Sequence, residues 1–125
     1  MTVRYFTVDE ANALLPEISA LMESLQARRA NVIESRQQMV ELLSRQHSDV
    51  GGPAASALVQ DFIAIEDLAR RIRSYGCLIK DLNSGLVDFL SKRGEREVYL
   101  CWRFGEPRVA FYHDLHTGFV GRQPL

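Results

Sequence analysis

The stretch IRSYGCLIKDLNSGLVDFL, Ile72 to Leu90, changes its period in the middle. Up to Tyr75 the apolar residues keep helical three/four spacing: Leu58, Phe62, Ile65, Leu68, Ala69, Ile72, Tyr75. Arg70, Arg71 and Arg73 suit the carbonyl end of a helix, and Gly76 is a natural left-handed stop. Beyond it the period is two. Cys77–Lys80 reads as a short strand, Asn83-Ser84-Gly85 as a turn and Leu86–Leu90 as a second strand. One domain, 1–125, is therefore expected in two parts: helical over 1–76, sheet and irregular tail over 77–125.

Upstream, Thr7-Val8-Asp9-Glu10 matches a capping box and starts a helix at Val8, with Phe6 and Ala11 as a weak staple. Pro16 lacks an amide hydrogen and crowds the carbonyl four residues earlier, so a kink or one-turn break is expected near Ala13–Leu15. From Pro16 to about Gln46 there is neither Gly nor Pro, and Ile18, Leu25, Val32 and Met39 recur every seven residues. Ser48-Asp49-Val50-Gly51-Gly52-Pro53 then breaks the chain, short enough to force an antiparallel helical hairpin, and a second helix runs from Pro53 or Ala54 to Tyr75.

Downstream, Ser91–Glu95 is a polar connection, Glu97–Phe104 a third strand and Arg108–Leu115 a fourth, joined by Gly105-Glu106-Pro107. Such short connections predict an antiparallel meander. His116–Leu125 is expected to be irregular. The fold class is α+β: a long antiparallel helical hairpin packed against a small C-terminal antiparallel β-meander.

Composition narrows the function classes. A net charge of −1, with 8 basic and 10 acidic residues before Gly76 and 7 and 6 after it, leaves no field that draws in nucleic acid. Arg28/Arg29 and Arg70/Arg71/Arg73 are interleaved with Glu23, Glu34, Asp61, Glu66 and Asp67, which is the pattern of a salt-bridged surface. No apolar run spans a membrane, and the N-terminus has no signal core, so a cytoplasmic location is expected. Cys77 and Cys101 lack the paired spacing of a zinc knuckle and read as packed thiols.

Three segments together resemble a known family: YFTVDEANALLP (5–16), IKDLNSGLVDF (79–89) and EVYLCWRFGEPRVAFYHDLHTGFVGRQP (97–124). They are similar to the uncharacterised bacterial and archaeal domain-of-unknown-function family 2203, with LCW-x-x-GE and GRQP the most specific parts. The resemblance implies a shared architecture and draws attention to the motif-bearing end. It supplies no activity or cofactor.

The chemistry is argued from the residues. Alternation puts Val98, Leu100, Trp102 and Phe104 on a core face and Tyr99, Cys101 and Arg103 on a half-open one. Asp88 and His113 alternate with apolar neighbours, and a carboxylate in such surroundings must be paired or have its pKa raised. The ligand-binding candidates are Asp81, Asp88, Arg103, Glu106, His113 and Arg122. A divalent metal would be held by His113 with Asp88, Glu106 or His116, with Asp81 a further acid, since mixed imidazole and carboxylate sets suit zinc, iron or manganese. Against that, His113 can be a satisfied half-buried imidazole, and Arg122 can tie the tail to a carboxylate such as Asp88 or Asp114. Cys101 with His113 as its base is a nucleophile reading, but no helix N-terminus or oxyanion nest lies near it in the sequence.

The helices point to self-association. The sheet cannot cover both helices fully, so Met39, Leu42 and Leu43, or Met22 and Leu25, are expected to form an apolar strip that a second copy buries. The leading reading is a non-enzymatic homo-oligomeric binding or scaffold protein, a homodimer through the hairpin whose ligand or partner meets the C-terminal sheet. The alternative is a small metal-dependent enzyme using His113 with nearby carboxylates.

Overall fold

The computed structural model describes residues 3–44 and 53–125. Helix α1 (Val8–Ser44) and helix α2 (Pro53–Ser74) precede five strands: β1 (Leu78–Asp81), β2 (Leu86–Arg93), β3 (Arg96–Arg103), β4 (Phe111–Asp114) and β5 (Gln123–Pro124). Strand order in the sheet follows the chain, and every neighbouring pair is antiparallel. Glu17 meets Tyr75 and Arg28 meets Asp61, so the helices run in opposite directions. This is the expected α+β hairpin and meander. The predicted turn at Ser48–Gly52 lies outside the described residues.

The capping box forms: the Glu10 amide donates to Thr7 Oγ1 at 3.0 Å and the Thr7 amide to Glu10 Oε1 at 2.9 Å. The break expected before Pro16 does not. Helix α1 runs through Pro16, because Ala11, Leu15 and Ile18 on either side are buried in the core and hold the backbone helical despite the missing hydrogen bond. Gly76 ends α2 at φ 98°, as its position predicts.

The inner face of the sheet packs on the helices through Val87, Phe89, Leu100 and Trp102, which meet Ile18, Met22, Leu25 and Ile72 in one cluster. Met22 and Leu25 are thus core, not the exposed strip expected of them, because the turn that leads into the second strand lies over this part of α1: Gln26 donates to the Leu82 carbonyl at 2.6 Å, and a Cβ at Gly85 would lie 3.3 Å from Met22 Cγ. That strand runs eight residues, to Arg93, and turns through Gly94 (φ 65°) into β3.

Two further boundaries move. The fourth strand begins only at Phe111, because Val109 leaves the ladder: its amide donates to Asn12 Oδ1 at 2.8 Å. The tail expected to be irregular returns as a 3₁₀ turn at Phe119–Gly121 and then β5, with Phe111 opposite Pro124 and Tyr112 opposite Gln123. Pairing satisfies backbone groups along the edge of β4 that would otherwise be open.

Candidate functional site

The outer face of the sheet carries the polar residues, and register decides which of them meet. Asp88 on β2 stands directly opposite Cys101 on β3, while Tyr99 stands opposite His113 on β4. In an antiparallel pair, opposed residues share a face, so Asp88, Cys101 and His113 converge. All three are buried, at 1%, 0% and 2% exposure.

His113 Nε2 lies 2.9 Å from Asp88 Oδ2, and Nδ1 lies 2.7 Å from the Asp114 carbonyl oxygen. A carbonyl only accepts, so Nδ1 carries a proton. Burial pushes the Asp88 carboxyl above the usual carboxylate range, against the opposing pull of His113, Lys80 and Cys101. The Cys101 thiol lies close enough to act on that ionisation, but as a weak donor it leaves Asp88 Oδ1 without a hydrogen-bond partner among the described residues.

Beside this trio, Arg122 reaches in from the tail. Its guanidinium pairs with Glu106 through both nitrogens, Nη1 to Oε1 at 3.1 Å and Nη2 to Oε2, and Nη1 also donates to Cys101 Sγ at 3.8 Å. The guanidinium carbon of Arg122 lies over the rings of Phe111 and Phe119, 3.9 and 4.4 Å from their centroids. Glu106 also accepts from the Arg103 amide at 2.7 Å. Burial raises the Glu106 carboxyl, but the bonds from Arg122 and the Arg103 amide outweigh it and leave it below its ordinary value. Arg122 does tie down the tail, but to Glu106, not to Asp88 or Asp114.

Four of the six predicted ligand-binding residues, Asp88, Glu106, His113 and Arg122, therefore join one network through Cys101. Asp81 and Arg103 do not join it through their side chains; with Ser84, Leu86 and Phe119 they line a separate surface depression. Asp81 accepts from the Ser84 hydroxyl at 2.8 Å and the Asn83 amide at 3.1 Å, and these bonds hold its carboxyl below the ordinary value. Of the predicted metal ligands, Asp88 and His113 meet, Glu106 is engaged by Arg122, and His116 is exposed.

The nucleophile reading of Cys101 finds no support. Burial pushes its thiol up to about 11, and both His113 nitrogens are engaged elsewhere.

The family whose members are described as an uncharacterized conserved protein (DUF2203) matches residues 4–125. The chain belongs to this family. No curated protein and no solved structure matches it. The DUF2203 match takes in both helices and the whole sheet, so the Asp88–Cys101–His113 trio and the Glu106–Arg122 pair lie within the span that defines the family.

Cys101, read from the sequence only as a nucleophile beside His113, was missing from the ligand and metal candidates. The signal was available in the Gly94 turn: a two-residue hairpin pairs Arg93 with Arg96, and counting back along the ladder sets Asp88 opposite Cys101.

Proposed function

We propose that this protein is a non-enzymatic, self-associating binding or scaffold protein that joins a second copy through its helical hairpin. Its outer sheet face and tail remain available for a ligand or partner. One observation carries the reading: Ile33 and Val40 on α1, and Val59, Phe62 and Ile63 on α2, are all at least half exposed. Ile33 with Val40, and Phe62, continue rows that are occupied elsewhere, whereas Val59 and Ile63 stand seven residues before the exposed Glu66 and Arg70. Ile33 lies seven residues beyond Gln26, which donates to the Leu82 carbonyl, and Phe62 lies seven before buried Ala69. Where the sheet ends, those rows emerge as an apolar strip, and a second hairpin presents the same strip in return. A reducing compartment such as the cytoplasm suits the two buried free thiols. None of the described helices is long and apolar enough to cross a membrane.

Sedimentation velocity at micromolar concentration tests this. The expected species is a dimer that Phe62→Glu converts to a monomer. A monomeric wild type removes the reading.

The second reading, a small metal-dependent enzyme using His113, draws on the Asp88–His113 contact. The burial of both residues favours a held cation over turnover, since it leaves a substrate no approach.

A further inference from the structure

We propose that Asp88, Cys101 and His113 form a structural site for a borderline-soft divalent cation of the zinc class, which clasps β2, β3 and β4 on the outer face of the sheet. Among the described residues they are the group of potential ligands whose donor atoms, a carboxylate oxygen, Sγ and a ring nitrogen, all lie within 4.8 Å of one another.

The tautomer is the first argument. Because Nδ1 donates to the Asp114 carbonyl, the neutral ring has its lone pair on Nε2, aimed at Asp88 Oδ2. Two lone pairs at 2.9 Å repel unless a proton or a cation lies between them. A ligating imidazole anchored by its other nitrogen to a backbone carbonyl is the common outer arrangement of zinc sites.

The second argument is the unsatisfied oxygen. A shared proton answers Oδ2 only and leaves Oδ1 buried without a hydrogen-bond partner, which is costly. A cation engages either or both oxygens. With Sγ and Nε2 they make up the mixed donor set that zinc accepts, at about 2.0–2.3 Å from the metal. A cation at those distances requires the 2.9 Å Asp88–His113 contact to open and the thiol to draw inward.

Charge is the third. Arg122 and Glu106 neutralise each other, so an Asp88 carboxylate and a Cys101 thiolate balance one divalent cation. Arg122 Nη1 at 3.8 Å from Sγ is placed to donate to that thiolate. The thiolate selects zinc, iron or cobalt over magnesium and calcium. Lys80, the remaining cation acting on Asp88, has its ammonium over the Tyr99 ring, 4.8 Å from the centroid.

The site does not depend on self-association, and each can fail alone. The test strips the untagged full-length protein with a chelator and titrates it with cobalt and then zinc. Cobalt is expected to bind one per chain and give a sulfur-to-metal charge-transfer band that zinc abolishes, and zinc is expected to raise the thermal midpoint. The band and the zinc shift persist in Cys77→Ser. The band disappears in Cys101→Ser, and zinc affinity falls more than about a hundredfold there, beyond the loss of an outer partner alone. Asp88→Asn loses the midpoint shift. A folded wild type that gives no band, or a band that follows Cys77, overturns the site; those two titrations decide it even if Cys101→Ser does not fold.

Discussion

A carboxyl at 1% exposure beside an imidazole at 2% is tolerated only because each answers the other. Removing one partner leaves a buried polar group alone, so Asp88→Ala or His113→Ala is expected to destabilise by about 3–5 kcal/mol in denaturant unfolding with chelator present. Replacing both with apolar residues, Asp88→Val with His113→Leu, should cost far less than the sum of the single changes; additive losses would mean that the two do not act as a pair. Glu106 behaves differently because it is ion-paired near the surface. Its folded pKa is depressed, so its contribution is complete above the ordinary glutamate value of 4.5 and is lost as pH falls through the folded value. The thermal midpoint of Glu106→Gln should therefore lie below wild type at neutral pH and converge with it in acid; a gap that persists in acid would refute the pairing. At this scale the sequence was partly legible. Apolar neighbours on alternating positions marked Asp88 and His113 as buried and in need of a partner. They could not show which acid Arg122 takes, because that depends on how the tail folds back over β4.

Elements were legible where one local rule dominates and less so where packing competes with it. The Thr7–Glu10 box and Gly76 bound their helices as local chemistry dictates. Pro16 shows the opposite outcome, since a helix bracketed by buried residues absorbs a lost hydrogen bond that an isolated helix would not. The fourth strand was misjudged at its start because Asn12, from the far end of the chain, takes the Val109 amide. The fifth was missed because two residues carry no period to read. Gly85 tests how tightly one of these joints is built. Its φ is +70°, and an added Cβ would lie 2.6 Å from Phe104 Cβ. Gly85→Ala therefore combines backbone strain with overpacking and is expected to cost about 2–4 kcal/mol in unfolding free energy. Gly94 has a similar φ with nothing within 4 Å of its added Cβ, so Gly94→Ala should cost less. Equal losses at the two positions would remove the steric part of the argument.

For the whole molecule the governing mismatch is between hairpin and sheet. Helix α1 has 37 residues and so extends roughly 55 Å, whereas the eight residues of β2 extend only about 27 Å. The sheet covers the lower hairpin and buries Met22 and Leu25; beyond it Ile33, Val40, Val59, Phe62 and Ile63 face outward. A strip of this kind is either solvated at a standing cost or closed by another surface, and a second hairpin is the complement at hand. Closure has a thermodynamic signature apart from mass. If the folded chain associates and the unfolded chain does not, its thermal midpoint rises with protein concentration, by mass action. Over a hundredfold range of concentration the wild type is expected to shift upward. Phe62→Glu should hold a constant midpoint equal to the dilute limit of wild type, because it removes the association and leaves the core untouched. Two concentration-independent midpoints, with wild type no higher than the variant, would mean that the strip stays open and that the long hairpin serves something other than a second copy.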